Sequence, residues 1–138
     1  MEKTEDKVKE TNWRDVLRGA YPDVLKPEYR HFDMAVRDGW EDLVTSVVEL
    51  ALREGCQLSQ IKEKFGRLEI YTRSSTPALK KEIDRVRSKS LSQCEWCGEN
   101  GSAHNMKGGW RKTMCPACAE KEGAKCLETC LDSEGEPK

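Results

Sequence analysis

The sequence predicts an α+β fold: a small domain of helices and a β-hairpin, followed by a C-terminal treble-clef or zinc-ribbon finger. Three observations predict it. Residues 40–51 carry apolar side chains at helical spacing. Residues 57–73 form two strand-like stretches about a glycine. Cys94 and Cys97, then Cys115 and Cys118, form two Cys-x-x-Cys pairs with seventeen residues between them.

Residues 1–11 alternate acids and bases, with Val8 the one apolar residue after Met1, and read as a disordered or frayed segment. A domain over 12–93 follows. Asn12 and Asp15 stand at capping-box spacing before a short helix over about 13–19, with Trp13, Val16 and Leu17 on one side. Pro22 and Pro27 bracket a connector.

The strongest helix spans about 39–54. Asp38 and Glu41 have the spacing of a capping box. Trp40, Leu43, Val44, Val47, Val48 and Ala51 form one apolar stripe, the pattern of a helix packed on a core. Gly55 is placed to end it in the left-handed conformation. Cys56, just past that end, reads as a small buried apolar residue.

Two strands, about 57–63 and 67–73, flank Lys64-Phe65-Gly66. Leu68, Ile70 and Thr72 alternate with Glu69, Tyr71 and Arg73, the period of a half-buried strand. A second helix, about 77–91, opens on Thr76 as N-cap and Pro77 in the first turn. Leu79, Ile83 and Val86 form its narrow apolar stripe. Lys80, Lys81, Arg85, Arg87 and Lys89 cover the rest, broken by Glu82 and Asp84. Such a helix suits an anionic partner, or is simply a solvated face.

The finger is expected over 94–125. Tight Cys pairs bring two sulfurs to one ion from a single turn, and Zn²⁺ favours four thiolates in a tetrahedron. Gly98 fits a knuckle that turns sharply. Residues 110–114 are the expected strand, and a helix is expected through Ala117–Lys125. His104 reads as a loop histidine outside the metal shell, and His31 is the other histidine. Cys126 and Cys130, in a tail over 126–138, read as unpaired reduced thiols. A redox pair or a second metal site is the alternative.

Four cysteines close a coordination shell, whereas catalytic zinc sites keep a position open. No Ser/His/Asp set or phosphate loop is visible, so neither an enzyme nor a small-molecule substrate is expected. The charged first residues lack the apolar core of a secretory signal, and no run is long enough to span a bilayer. Paired thiols then point to a cytoplasmic metal site rather than to disulfides. Charge is uneven within a net of −1. Residues 1–60 hold 13 acids and 9 bases, residues 61–93 hold 4 and 9, and residues 94–138 hold 8 and 6. An anionic partner would meet the middle of the chain.

Four blocks then carry a resemblance: Gly39-Trp40-Glu41-Asp42-Leu43, Ile61-Lys62-Glu63-Lys64-Phe65-Gly66-Arg67-Leu68, Cys94-x2-Cys97-Gly98 and Gly109-Trp110-Arg111-Lys112-Thr113-Met114-Cys115. In this order they resemble small bacteriophage and prophage-type proteins with a terminal cysteine finger, over about residues 38–120. Members often have a His near the last ligand; here Cys118 completes the set by spacing. The resemblance implies a phage accessory protein in the host cytoplasm and supplies no mechanism. Trp110, Arg111 and Lys112 before the second pair also resemble GATA-type fingers, although Ala119-Glu120-Lys121-Glu122 is of mixed sign, unlike a groove-docking helix. The expected function is non-enzymatic binding of a host or defence protein. The alternative is nucleic-acid binding through residues 62–89 and the finger. The candidate binding residues are Lys80, Lys81, Arg85, Arg87, Trp110, Arg111 and Lys112.

Overall fold

The computed structural model describes residues 12–26, 32–106 and 108–126. Pro27, His31, Cys130 and the two expected terminal segments, save for Cys126, lie outside them. The fold is mixed α+β, with four α-helices and two small sheets among the described residues.

Helix α1, Trp13–Ala20, starts where the Asn12 side chain accepts the Arg14 N–H at 2.8 Å. Leu17 faces the core and Trp13 packs against it, but Val16 is half exposed, so the expected apolar side is narrower. Val24 and Leu25, in the turns after Pro22, are buried as well. A two-residue strand β1, Met34–Ala35, leads to a 3₁₀ turn over Asp38–Trp40 and helix α2, Glu41–Glu54.

The expected capping box at Asp38 does not form. Trp40 is the residue that caps α2, with no side-chain capping bond. The Asp38 carboxylate instead accepts the Trp13 indole N–H at 2.8 Å and pairs with Arg14 at 3.1 Å. The 3₁₀ turn has moved Asp38 off the helix end. The stripe from Trp40 to Ala51 is buried throughout, and Gly55 closes α2 at φ 71°.

Strands β2, Gln57–Lys64, and β3, Arg67–Ser74, form the expected hairpin. β1 adds to β2 in parallel, Met34 opposite Ile61. Helix α3, Pro77–Ser90, is capped by Thr76 Oγ1, which accepts the Leu79 N–H at 3.2 Å. α2 and α3 pack together and α3 lies on β3, so one core joins the helices to the sheet. Burial of Leu58, Ile61, Leu68, Val44, Val47, Leu79 and Val86 supplies its hydrophobic driving force.

The C-terminal part has its own small core of Cys94, Met114, Cys115, Cys118 and Ala119. Strand β5, Arg111–Met114, is as expected. It pairs with β4, Ser102–Asn105, a strand that its polar sequence hides. Helix α4, Pro116–Glu122, is shorter than expected because Gly123 turns the chain at φ 71°. The chain then forms β6, Lys125–Cys126, against β4. Cys126 is therefore on a strand, and it is disulfide-bonded, not an unpaired thiol.

Candidate metal centre

Two turns converge on one point. Cys94 leaves the loop after α3, and Gly98, at φ 88°, folds the chain back so that its N–H donates to the Cys94 carbonyl at 2.9 Å. Cys97 is thereby returned to Cys94. Cys115 caps α4, its Sγ accepting the Cys118 N–H at 3.4 Å, and Cys118 stands in the first helical turn. The four Sγ atoms lie within 4.8 Å of one another, Cys97 and Cys115 being 3.6 Å apart. This set can hold a metal ion. Thiolate donors at this separation suit a soft, tetrahedral cation.

Cys94, Cys115 and Cys118 are buried, while Cys97 is exposed. Cys97 borders an open pocket of about 550 Å³ shared with Asp38, Glu41, Asp42 and Glu49. In the metal-free molecule, burial acts to raise the Cys115 thiol. The Cys118 N–H and the neighbouring thiols outweigh it, bringing Cys115 down to about 7. Burial and the same neighbours push Cys118 up. Cys115 thus becomes a thiolate more readily than Cys97 or Cys118, whose thiols are both pushed up. His104 stays out of the cluster. It lies buried in β4, not in a loop, with Nδ1 2.9 Å from the Ser102 carbonyl oxygen.

The centre is seated on the preceding domain. Gly39 N–H donates to the Glu95 carbonyl at 2.7 Å, and the buried Trp40 indole donates to the Gln93 carbonyl at 2.7 Å. Gln93 Nε2 donates to the Gly39 carbonyl and to Asp42, each at 2.8 Å. On the other side, the hairpin tip meets β5. Thr113 Oγ1 donates to the Gly66 carbonyl at 2.6 Å, and Lys112 Nζ lies 2.9 Å from Glu63. Gly66, at φ 80°, leaves so little room that an added Cβ would lie 3.2 Å from the Lys112 carbonyl carbon. The four sequence blocks around Gly39, Gly66, Cys94 and Gly109–Cys115 are therefore largely the two sides of one internal interface.

Glu95 stands between two candidate ligands and is an interface residue that its charged side chain does not announce in the sequence. Its carboxylate accepts the Arg37 N–H at 3.2 Å, and Lys112 Nζ is 3.8 Å away, yet Oε1 has no hydrogen-bond partner. Burial holds its carboxyl above the ordinary value, against the pull of Lys112. Its position within Cys94–Cys97 is the signal that it faces the centre's surroundings.

The candidate binding residues are not gathered in one place. Arg85 pairs with Glu82, and Arg87 lies 3.6 Å from the buried Glu69. Lys80 and Lys81 are exposed on α3. Lys112 points inward to Glu63, Arg111 is exposed, and Trp110 is 70% exposed. Trp96 is half-buried against the small core, with the Arg37 guanidinium 4.4 Å from its ring centre. No described helix is long and apolar enough to cross a membrane. Protein-family models, curated proteins and solved structures, compared with the chain, give no match.

Proposed function

We propose that Cys94, Cys97, Cys115 and Cys118 hold a structural Zn²⁺ in a treble-clef finger, and that the protein is a non-enzymatic accessory protein that binds a protein partner. The convergence of four Sγ atoms within 4.8 Å carries this reading. A knuckle, the β4–β5 hairpin and a ligand pair at the start of α4 follow the treble-clef order. Four thiolates fill a tetrahedral shell and leave no position for substrate, which is the pattern of structural rather than catalytic zinc.

The phage setting and the host cytoplasm rest on the resemblance, as does a host or defence protein as the partner. Exposed Trp110 supports a protein interface, because tryptophan is a frequent anchor. Five reduced thiols suit a reducing compartment, whereas the bonded Cys126 runs against it. Elemental analysis should give one zinc per chain. Affinity capture from host lysate should retain one stoichiometric protein, lost in Trp110→Ala. Zinc-free folded protein refutes the metal reading, and capture unchanged by Trp110→Ala refutes the interface.

A second reading, nucleic-acid binding, is favoured by one observation: a crevice beside an exposed aromatic ring at the hairpin tip, whose described lining carries Arg111 and Lys112 and no acid.

A further inference from the structure

Phe65 occupies a position that suits it poorly. Phe65 and Gly66 alone connect β2 to β3, at φ 55° and 80°. Two positive values define a type I′ turn, whose first central position favours Asn, Asp or Gly. Phe65 is the one non-glycine residue at positive φ among those described. A bulky side chain is strained there. The ring is not repaid by burial either, being 70% exposed. Asparagine would serve both the backbone and solubility better, so the ring points to a role outside folding.

The ring borders a crevice of about 390 Å³ between the hairpin tip and the finger. Leu91, Ala103 and Arg111 also line it, and no lining residue among those described is acidic. Lys112 is held by Glu63, but three other cations line the crevice or stand beside its lining residues in the chain. Arg111 lines it, Lys64 Nζ lies 6.0 Å from the Phe65 ring centre, and Lys89 is two residues before Leu91. Each of these three is exposed, and none pairs with a carboxylate among the described residues.

We propose that this crevice binds single-stranded nucleic acid, with one base stacked on Phe65 and backbone phosphates at Lys64, Lys89 and Arg111. An aromatic face stacks any unpaired base, and flanking cations follow the backbone. A duplex hides its base faces from such a ring. The site deepens the second reading and does not depend on the identity of the metal.

The test uses the full-length, metal-loaded protein and a fluorescein-labelled oligothymidylate of about twelve nucleotides, followed by anisotropy. Binding should weaken with salt, with a log–log slope of about −2 for three phosphates. Phe65→Asn should leave the melting temperature unchanged or higher, because Asn suits the turn, and weaken binding roughly tenfold or more. Phe65→Leu, apolar but unable to stack, should weaken it similarly. Binding unchanged in both variants overturns this site while leaving nucleic-acid binding in place. No binding by the unaltered protein at low salt overturns the site and the second reading together. Retention of an acidic protein in place of the oligonucleotide counts as that second result.

Discussion

A β-carbon on Gly39 would lie 2.1 Å from the carbonyl oxygen of Cys94. The first turn of the cysteine cluster therefore rests directly on the backbone that opens α2, and the Gly39-Trp40 block is a seat for the C-terminal part. Gly39→Ala must push the two backbones apart. We expect a loss of at least the roughly 1–3 kcal/mol typical of overpacking, together with faster metal loss to a chelator. Gly19→Ala is the control. Nothing lies within 4 Å of the added atom there, and alanine in a helix should be neutral or stabilising by up to about 1 kcal/mol. Thermal melts and chelator competition check both.

Cys97 is the exposed member of the four-thiol set, yet its removal should be as damaging as that of a buried one. Three ligands do not close the shell, and structural zinc can contribute roughly 10–16 kcal/mol to folding. Cys97→Ser should lose the metal and unfold the C-terminal part, as chelation does. Cys56→Ala, outside the set, should keep it. Metal content and far-ultraviolet circular dichroism report both outcomes. Two metals per chain would contradict a single centre.

Acid should release the metal, because protons compete for the thiolates. In the metal-free molecule Cys115 sits at about 7, so it holds its proton below that pH and offers a thiolate above it. Uptake of metal by the apo protein should therefore accelerate as pH rises through 7. Thiolate absorbance, titrated before metal addition, should show its first step in the same range. Cys115→Ser should remove that step.

These expectations rest on features with strong local signals. The α2 stripe repeats at helical spacing over three turns, and the hairpin alternates about a glycine that must adopt positive φ. The cysteine pairs are legible because one turn brings each pair together. What was hidden depends on distant partners. β1 has two residues, and its strand character comes from pairing with Ile61 and Lys62. β4 is Ser-Ala-His-Asn, a weak strand former held between β5 and β6. Asp38 has good capping chemistry, but Trp13 and Arg14, over twenty residues earlier, claim its carboxylate. Gly123 did carry a local stop signal for α4, and the helix ends there.

Ser90, at the end of α3, is fully buried and links the helix to β3. Its hydroxyl oxygen accepts the Leu68 N–H at 2.9 Å while its proton goes to the Arg87 carbonyl at 2.6 Å. Ser90→Ala leaves the Leu68 N–H without a partner in a dry site. The expected loss is about 1–3 kcal/mol. Denaturant unfolding measures it. Hydrogen exchange at Leu68 should quicken beyond the global change. An unchanged Leu68 amide would mean that another acceptor takes over.

Glu95 should make the stability of the protein depend on pH in the sense opposite to a surface salt bridge. Burial raises its carboxyl above the ordinary 4.5, outweighing Lys112. Because the folded state ionises it less readily than the unfolded chain, the charged form subtracts from stability at neutral pH. That penalty disappears as pH falls through the raised folded value towards 4.5. Glu95→Gln carries no such penalty at any pH. Relative to the unaltered protein, the variant should therefore be more stable at pH 7 than at acid pH, whatever constant offset its altered hydrogen bonds introduce. Metal content, measured for both proteins at each pH, must match before the difference between their denaturant midpoints is assigned to the carboxyl, because Glu95 adjoins Cys94 and the metal is itself released by acid. A difference that stays constant with pH would show that Lys112 fully compensates the buried charge.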